Sequence, residues 1–425
     1  MSEYRFLSRG ELLGLHAKLK EQLAEFCKTG LSLDMSRGKP GGEQLNTSDL
    51  LLDALNSKSV KTSENGFDVR NYGLLDGIPE CKALFSDLIG VPEENIIVCG
   101  NSSLNLMFDY ISQCMTHGTG GCEPWMKQSG VKFACPAPGY DRHFKVLEYF
   151  GIDMINIPMT PAGPDMDILT EVVKDSSVKG MFCVPKYSNP QGFTFSDETV
   201  ERIAAMKPAA KDFRVIWDNA YIVHEFYGEG DRLCEIFERC KAHGSEDMVI
   251  EVVSSSKMTY PGAGVSAIAA SKANLNEIKK RLSIQTIGHD KVNQLRHVLF
   301  FKNTGGIRSH MKIQAEHLRP RFALVIDKFE KNLSGKGIAA WTNPKGGYFI
   351  NLVVPDGCAA RVVGLCREAG VTLTEAGAAF PYGDDPTDSN IRIAPSCPPL
   401  GELSSAMDIL CACVELASVE KLLSI

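Results

Sequence analysis

Between residues 251 and 264 the chain reads Glu251-Val252-Val253-Ser254-Ser255-Ser256-Lys257-Met258-Thr259-Tyr260-Pro261-Gly262-Ala263-Gly264. The apolar, β-branched beginning predicts a buried strand, and three hydroxyl side chains and one lysine follow it before a turn rich in proline and glycine. Lysines are rarely buried unless they are paired or used chemically. Lys257 is therefore either an ordinary lysine whose head group reaches solvent, or an amine that forms a Schiff base with a carbonyl compound. The second interpretation requires an acidic partner, a phosphate-binding turn and a carboxylate-binding arginine elsewhere in the chain.

Short apolar runs recur from about residue 90 onward, and most of them are separated by helix-sized spacers. This alternation predicts an α/β fold with a largely parallel sheet that helices cover on both faces, and it places functional residues at the strand ends. Only the lysine turn separates the last two runs, so that pair could be antiparallel. The seven runs lie at 95–99, 131–135, 154–157, 180–184, 214–217, 248–253 and 264–270.

The two ends of the chain have a different pattern. Residues 10–29 carry apolar side chains at intervals of three and four and stop at Gly30, which predicts an amphipathic helix. Helical and strand-like segments alternate beyond residue 310 and predict a smaller α+β domain, which the N-terminal segment joins. We therefore expect an N-terminal helix and arm at 1–50, a large domain at 51–308 and a small C-terminal domain at 309–425.

The composition is that of an ordinary globular protein and favours an enzyme that acts on small molecules. With 425 residues, 44% of them hydrophobic, the chain is long enough for two or three domains. The net charge of -7 is no footprint for nucleic acid or an anionic membrane, and there is neither a signal peptide nor an apolar run of about 18 residues, so we expect a cytoplasmic protein. The 14 cysteines are scattered without a Cys-x-x-Cys pair, which favours buried free thiols over a metal site or disulfides.

Polar residues follow the first predicted strand of the sheet. The run Gly100-Asn101-Ser102-Ser103 leads into a helical pattern, so its free backbone N–H groups and the helix dipole could bind a phosphate. Ordinary capping of that helix is the alternative, because asparagine and serine are also preferred cap residues.

Two further strand ends carry candidate residues. Asn189 precedes a proline, which favours an extended backbone and lets the side-chain amide point into a site; a simple Asn-Pro turn is the alternative. Asp218 ends a strand apolar enough to be central, so its carboxylate should have a permanent cationic partner, such as a protonated pyridine nitrogen. Tyr221 could donate to the oxygen of the same ring. Capping of the next helix by Asp218 is the alternative.

Three other positions are candidates for binding a ligand. Tyr140 is either a plate that stacks on an aromatic ligand or an ordinary core tyrosine. Arg392, in an apolar strand of the small domain, suits a substrate carboxylate, or else a structural salt bridge with Asp384, Asp385 or Asp388. The turn at 33–42 carries two cations and either covers an anionic ligand or is simply solvated.

Together these motifs resemble the fold-type-I pyridoxal-phosphate enzymes of the aspartate aminotransferase superfamily. The chain is most similar to the type Ic aspartate aminotransferase subgroup, which is grouped with MocR-like proteins, and the likeness extends over about residues 30 to 420. It implies a large domain with a seven-stranded, mostly parallel sheet. The runs that carry the resemblance are Arg70-Asn71-Tyr72-Gly73, Ser188-Asn189-Pro190-Gln191-Gly192, Ser256-Lys257, Pro261-Gly262-Ala263-Gly264, 288–297, 376–383 and Arg392-Ile393-Ala394-Pro395-Ser396.

The resemblance implies roles for individual residues around pyridoxal 5'-phosphate. Lys257 would hold the cofactor through a Schiff base and, once freed, would carry the proton between substrate and cofactor. Asp218 would keep the pyridine nitrogen protonated, while Asn189 and Tyr221 would bind the phenolate oxygen and Tyr140 would stack on the ring. The phosphate would be held by Asn101, Ser102, Ser103, Ser254 and, from the neighbouring subunit of a homodimer, Tyr72.

Substrate binding follows the family pattern only in part. Arg392 would grip the α-carboxylate of an amino acid or 2-oxo acid, assisted by the backbone near Gly38. Many members of the superfamily have a phosphate-binding arginine eight residues after the lysine, where this chain has Val265. The side-chain carboxylate of a dicarboxylic substrate also has no single obvious partner. The candidates are Arg37, Lys39, Lys291 and Arg296.

We therefore expect a cytoplasmic, homodimeric aminotransferase that acts by a ping-pong reaction on L-aspartate and 2-oxoglutarate. An aminotransferase for aromatic or other amino acids, or a β-eliminating lyase, would share the same cofactor site. A MocR-type domain that senses an effector without turnover is a third possibility, but such regulators carry an N-terminal DNA-binding domain and only about 30 residues precede the core here. A structural protein without cofactor is the remaining alternative.

Overall fold

The computed structural model describes residues 3–424. Within this range the α-helices are α1 (Arg9–Lys28), α2 (Gly42–Asn46), α3 (Leu50–Asp53), α4 (Pro79–Ile89), α5 (Ser103–His117), α6 (Asp141–Tyr149), α7 (Met166–Val172), α8 (Asp197–Ala205), α9 (Ile236–His243), α10 (Lys272–Gln285), α11 (Lys291–Phe301), α12 (Thr304–Asn332), α13 (Ala359–Glu368) and α14 (Leu400–Leu423). The strands are β1 (Leu33–Asp34), β2 (Ile96–Val98), β3 (Lys132–Ala137), β4 (Asp153–Thr160), β5 (Gly163–Pro164), β6 (Val178–Cys183), β7 (Arg214–Asp218), β8 (Val249–Ser254), β9 (Ser266–Ala270), β10 (Ala340–Trp341), β11 (Ile350–Val353), β12 (Val371–Thr372) and β13 (Asn390–Ile393).

The large sheet has the strand order β2-β9-β8-β7-β6-β3-β4-β5. The five neighbours from β8 to β4 are parallel, whereas β9 is antiparallel to both β8 and β2. The apolar cores lie on both faces: one includes side chains of α5, α6 and α10, and the other face is covered by α7, α8 and α9. This confirms the predicted α/β fold and the antiparallel pair around the lysine turn.

The predicted count of seven strands is wrong by one. All seven apolar runs form strands, and the eighth strand is β5, which pairs antiparallel with the end of β4 through Met159 and Thr160. A strand of two residues, Gly163 and Pro164, is too short to show any hydrophobic alternation, so the sequence pattern gave no sign of it.

The N-terminal segment packs against the C-terminal part of the chain. Helix α1 begins with a capping box at Ser8 and Glu11 and packs on α14, while Gly30 adopts a left-handed backbone just after the helix, as predicted. Strand β1 pairs in parallel with β12. A second small sheet has the order β10-β11-β13 and is antiparallel.

Helix α12 takes part in two apolar cores, one beside the large sheet and one in the C-terminal part of the chain. Near its beginning Ile307 and Met311 pack with the strands β2 and β9 of the large sheet, and further on Leu318 and Phe322 belong to the core formed with α1 and α14. None of the helices within residues 3–424 combines the length and the apolar character that crossing a bilayer requires. Eleven of the 14 cysteines are buried, and every one of them is a free thiol.

One carboxyl group is buried inside the large sheet. Glu251 lies in β8 opposite Trp217 of β7, and its Oε1 accepts a hydrogen bond of 2.8 Å from the side-chain amide of Asn219. Burial disfavours the charged form and raises the pKa of Glu251 to about 8. At neutral pH this group is therefore mostly protonated in the folded protein.

Glu251→Gln should change how stability depends on pH. Because the folded protein binds a proton at Glu251 that the unfolded chain loses near pH 4.5, the contribution of Glu251 to wild-type stability falls as pH rises from about 4.5 and levels off above about 8. Glutamine keeps the acceptor for Asn219 but never ionises, so near pH 9 the variant should gain on the order of a few kcal/mol over wild type, relative to their difference near pH 5. Urea unfolding at both pH values measures this. Glu402→Gln, at an exposed site, is the control, and parallel curves for wild type and Glu251→Gln would contradict the burial argument.

Candidate active site

The candidate residues meet at the carboxyl edge of the parallel strands. β6, β7 and β8 are neighbours: Asp218 is the last residue of β7, and the segments after β6 and β8 carry Asn189 and Lys257. Because parallel neighbours end at the same edge of a sheet, residues that are far apart in sequence come together there. Lys257 itself lies in a short 3₁₀ turn, Ser255–Lys257, directly after β8.

The Lys257 amine faces the ring of Tyr221. Its Nζ lies 4.9 Å from the ring centroid, and Tyr221 is buried. Burial lowers the pKa of Lys257, while the negative charge of Asp218 acts in the opposite direction. A lowered pKa increases the neutral fraction of the amine, which is the form that acts as a nucleophile or base. The geometry therefore suits a chemically used lysine better than a solvated one.

Asp218 is buried, and only one of its two carboxylate oxygens makes a hydrogen bond within residues 3–424. Oδ2 lies 3.2 Å from Nε2 of His143, whose ring stacks on Phe182 at 4.6 Å between centroids. Oδ1 is buried and has no hydrogen-bond partner among residues 3–424. A buried carboxylate oxygen without a partner is costly, so Oδ1 is suited to a ligand with a cationic N–H group. Asp218 does not cap the next helix, because α9 begins at Ile236 behind the cap residue Glu235, so that alternative is wrong.

The turn before α5 provides hydrogen-bond donors for an anion. Ser102 is the cap residue of this 15-residue helix, yet its side chain makes no capping hydrogen bond, so the capping alternative is wrong and the first N–H groups of the helix have no side-chain cap. The hydroxyls of Ser254 and Ser256 both donate to the carbonyl oxygen of Asn101, at 3.2 and 2.5 Å. The end of β8 is thereby tied to the phosphate-binding turn predicted at 100–103.

Position 265 is occupied by a valine, where many members of the superfamily have an arginine. Val265 is buried among apolar side chains that include Val253 and Met258. His289 lies beside the turn, with Nδ1 3.8 Å from the position of a Cβ built on Gly100, but burial lowers the pKa of this imidazole. A phosphate at the predicted turn would therefore face the N-terminus of α5, without a guanidinium from position 265.

Arg392 lies across the site, on β13. Its NH1 donates to Oδ1 of Asp141 at 2.7 Å and to Oδ1 of Asn189 at 3.4 Å, while NH2 donates to Thr374 at 3.3 Å. Its Nε is buried and has no partner within the described part of the chain. The guanidinium also lies 5.0 Å from the ring centroid of Phe349. Arg392 is thus paired, but it keeps a donor for another acceptor.

The expected salt-bridge partners of Arg392 were the wrong ones. Asp385 accepts backbone N–H groups of its own loop, from Ser389 and Asn390 at 2.8 Å each, and Oδ1 of Asp388 accepts from the backbone of Ala360. Asp384 is exposed. The actual partner, Asp141, lies in a different part of the chain and directly follows Tyr140.

Comparison with known proteins decides the family. The family model described as aspartate amino-transferase matches residues 7–425. The chain belongs to this family. It is 45% identical over 412 residues to the aspartate aminotransferase of Corynebacterium glutamicum, a match that covers 96% of this chain and 95% of the relative.

Solved structures agree with this assignment. An aspartate transaminase structure from C. glutamicum superposes with a TM-score of 0.96 at 43% identity and covers 98% of this chain and 99% of its own. An α-aminoadipate aminotransferase from Thermus thermophilus, complexed with N-(5'-phosphopyridoxyl)-L-leucine, has a TM-score of 0.75 at 19% identity, with 98% and 100% covered, and shows the shared fold. The predicted resemblance is confirmed, and the protein is a pyridoxal-phosphate-dependent aminotransferase.

The residues around Lys257 fit this cofactor. Asp218 has an unused buried oxygen for the pyridine nitrogen, and Lys257 has an amine of lowered pKa for the aldehyde. Tyr140 lies 5.0 Å from His143 between ring centroids, and its pKa is raised to about 12 by burial and by the charges of Asp218 and Asp141. The predicted ring-binding residues of this aminotransferase are therefore close to one another.

The turn at residues 37–39 lies beside Arg392. A Cβ on Gly38 would lie 2.5 Å from the Phe349 ring, which itself contacts Arg392. The hydroxyl of Thr374 connects the two, because it donates to the carbonyl of Ser36 at 2.7 Å and accepts from Arg392. Arg37 and Lys39 are both exposed on this turn. The structure therefore brings the cationic turn of the aminotransferase next to its predicted carboxylate site.

Two predicted residues lie apart from this cluster within the single chain. Lys291 is buried, and its Nζ donates to the carbonyl of His289 at 3.1 Å and lies 5.9 Å from the ring of Phe67. Tyr72 is 78% exposed, which is unusual for a large aromatic side chain. For this aminotransferase the family resemblance predicted Lys291 as a partner of the substrate's side-chain carboxylate. It predicted that Tyr72 reaches the phosphate bound by the neighbouring subunit.

Sequence reasoning missed Asp141, His143, Thr374 and Ser256. Asp141 and His143 lie at the start of α6, next to the predicted Tyr140, so the local signal was present but gave no indication of distant partners. Ser256 adjoins the lysine and was overlooked because the family pattern draws attention to Ser254. Thr374 ends a strand-like segment that carries no motif.

Proposed function

We propose that this aminotransferase transfers the amino group of L-aspartate to 2-oxoglutarate in a ping-pong reaction, with each acid using the same site in turn. The observation that carries the proposal is the arrangement of Lys257 against Tyr221 and near Asp218, with Arg392 across the site. The relative at 45% identity that bears the name aspartate aminotransferase supports aspartate as the donor.

Each residue has a role that follows from its surroundings. Pyridoxal phosphate, when bound, supplies an electron-accepting ring, and Oδ1 of Asp218 holds its nitrogen in the protonated form. Lys257 binds the aldehyde and later moves the proton of the substrate Cα, for which an amine of lowered pKa is suited. Asn189 and Tyr221 donate to the phenolate oxygen, and Tyr140 covers the ring. The phosphate is bound by Asn101, Ser102 and Ser103 of the turn before α5 and by Ser254, whose hydroxyl turns away from the Asn101 carbonyl, its acceptor at 3.2 Å, to donate to the phosphate.

Arg392 binds the α-carboxylate of the substrate. Its guanidinium matches a carboxylate in shape and charge, and the unpartnered Nε marks an unused donor. Before the substrate arrives, Asp141 already neutralises this cation at 2.7 Å. The substrate carboxylate therefore competes with, or shares the guanidinium with, an internal carboxylate.

The second carboxylate of aspartate is assigned to the turn that carries Arg37 and Lys39. This turn is linked to Arg392 through Thr374 and Ser36, which supports its two cations as partners of the second carboxylate. Lys291 and Arg296 remain the alternative, contributed across a subunit interface. Arg296 has a buried Nε without a partner in residues 3–424, whereas Lys291 is satisfied by the backbone of His289.

The assembly we propose is a cytoplasmic homodimer with the site at the interface. The exposed Tyr72 supports it, because in a partner subunit it would become buried against the phosphate. Fourteen free thiols, all within the described residues, favour a reducing compartment. The domains are assigned as 1–50, 51–308 and 309–425, with α12 as the connection that takes part in both cores.

L-Aspartate should react with the holoenzyme in the absence of any acceptor. The visible absorbance of the bound cofactor should change within seconds while one equivalent of oxaloacetate per site is released, and 2-oxoglutarate should restore the original spectrum. Alanine and phenylalanine are the comparison donors. If aspartate leaves the spectrum unchanged while an aromatic or other donor reacts, or while cysteine is split into pyruvate, ammonia and sulfide, the aspartate assignment is wrong. Failure of every donor would favour a sensing domain.

Lys257→Ala should remove the long-wavelength absorbance of the purified holoenzyme, because the amine that binds the aldehyde is lost. Transamination should fall by a factor of about 10⁴ or more, since both the covalent link and the proton carrier are missing. Lys186→Ala is the matched control, because Lys186 is also a buried lysine at a strand end but pairs with Glu225. A control that loses the band, or a Lys257 variant that keeps it, would refute the assignment.

Asp141→Asn should bind carboxylate ligands more tightly. Asparagine can still accept from Arg392, but the competing negative charge is gone, so the dissociation constant of an unreactive dicarboxylate such as maleate should fall about fivefold, equivalent to about 1 kcal/mol. Spectral titration of the holoenzyme measures this. Asp384→Asn, on an exposed carboxylate, should have no effect. Weaker binding to Asp141→Asn would mean that the charge of Asp141 is needed to orient Arg392.

A further inference from the structure

We propose that His224, His297 and His310 form an imidazole clamp that positions Lys257 through the backbone and hydroxyl groups of residues 257–259. The three side chains come from three different elements: the segment after β7, helix α11 and helix α12. Each one makes a hydrogen bond to a different, consecutive residue of the lysine turn. This inference rests on the proposed role of Lys257 and extends it to residues that do not touch the reacting atoms.

His224 holds the lysine residue itself. Its Nε2 lies 3.3 Å from the carbonyl oxygen of Lys257, and because a carbonyl can only accept, Nε2 is the protonated nitrogen. The ring packs edge-on against Tyr221 at 5.5 Å and against Tyr348 at 5.7 Å between centroids. Burial, together with the nearby charge of Lys257, lowers the pKa of His224 to about 3, so this donor is neutral.

His310 holds the next residue. From α12 its Nε2 approaches the carbonyl oxygen of Met258 to 2.7 Å, so Nε2 again carries the hydrogen. Burial lowers the pKa of His310 as well. The amide of Gln314, one helical turn further on, reaches the same carbonyl at 3.5 Å. The clamp therefore includes the long helix that connects the two apolar cores.

His297 holds the third residue from α11. Its Nδ1 lies 2.8 Å from the carbonyl of Asn293 and must donate to it, which leaves Nε2 of the neutral ring to accept from the Thr259 hydroxyl at 3.0 Å. Burial lowers the pKa of His297 to about 4. The side chain of Asn293 continues the grip on the turn, because its amide donates to the carbonyls of Ala263 and Gly264 at 3.0 and 2.9 Å.

The chemistry explains why imidazoles are suitable here. The residues between β8 and β9 form no strand ladder of their own, so their carbonyl groups need donors from elsewhere. A lysine or arginine could donate as well, but its permanent charge would repel the ammonium form of Lys257. Neutral imidazoles fix the turn without adding charge. A shift of the Lys257 backbone would carry Nζ away from Tyr221 and Asp218, and small displacements at a reacting group can cost orders of magnitude in rate.

The test compares His224→Leu, Thr259→Val and the conservative variant His224→Gln as holoenzymes. Gln retains an N–H donor at about the reach of Nε2, and Val retains the shape of Thr259 without the hydroxyl. For His224→Leu and Thr259→Val we expect kcat with aspartate to fall about 10- to 100-fold, while KM changes less than about threefold. The pH midpoint of the visible absorbance should shift by about half a unit or more, because the surroundings of the Lys257 amine change. His224→Gln should keep a kcat and a pH midpoint of the visible absorbance close to those of wild type.

His317→Leu is the matched control, since His317 is on α12 but lies outside the clamp, and it should resemble wild type. If the Leu and Val variants lower only the melting temperature and keep the wild-type kcat and spectral midpoint, the clamp is structural and the inference is wrong. If His224→Leu does not fold, Thr259→Val and His224→Gln decide by the same criteria. If wild type does not react with aspartate, the proposed substrate fails, but the spectral titration still tests the clamp.

Discussion

The buried carboxylate of Asp218 is the constraint on which the rest of the site depends. A charge removed from water is tolerated only when hydrogen bonds and an opposite charge replace hydration, and here His143 occupies one oxygen while the other has no partner in residues 3–424. In the proposed site, the protonated nitrogen of pyridoxal phosphate would supply the missing partner. Binding of the cofactor there would stabilise the folded state, because it would give the unpartnered oxygen of Asp218 a hydrogen-bond partner.

The parallel sheet explains why much of this site could be predicted from the sequence. Asn189, Asp218 and Lys257 each follow a short apolar run, and the sheet places the ends of β6, β7 and β8 side by side. Chemical type and position relative to a strand were thus enough to group residues that are up to 68 positions apart. Arg392 was recognisable for a related reason, as a cation inside an apolar strand. All seven apolar runs form strands, because short continuous apolar runs suit strands of a parallel sheet that is buried on both faces.

The remaining features depend on contacts that leave no periodic signal. The pairing of Arg392 with Asp141 joins residues 251 positions apart, and nothing near either one indicates the other. Nearby carboxylates looked like better partners, but Asp385 is used by the backbone of its own loop. The histidines of the clamp sit on three elements whose sequences show only helical or loop character. Strand β5 was missed because two residues carry no pattern.

The histidines of the clamp and the valine at position 265 both influence the charge near the Lys257 amine. A guanidinium there would bring a permanent positive charge to the end of the lysine turn, and charged histidines would do likewise; both would favour the neutral form of Lys257. The chain has instead a buried valine and imidazoles whose lowered pKa keeps them neutral. The protonation of Lys257 is then left to the opposition between its burial and the charge of Asp218. A phosphate bound at the proposed turn, near a helix end worth about half a charge, would add negative potential and raise the pKa of the free Lys257 amine. An arginine at 265 would cancel that potential, so the valine found there would let occupancy of the proposed phosphate site influence the charge of the lysine.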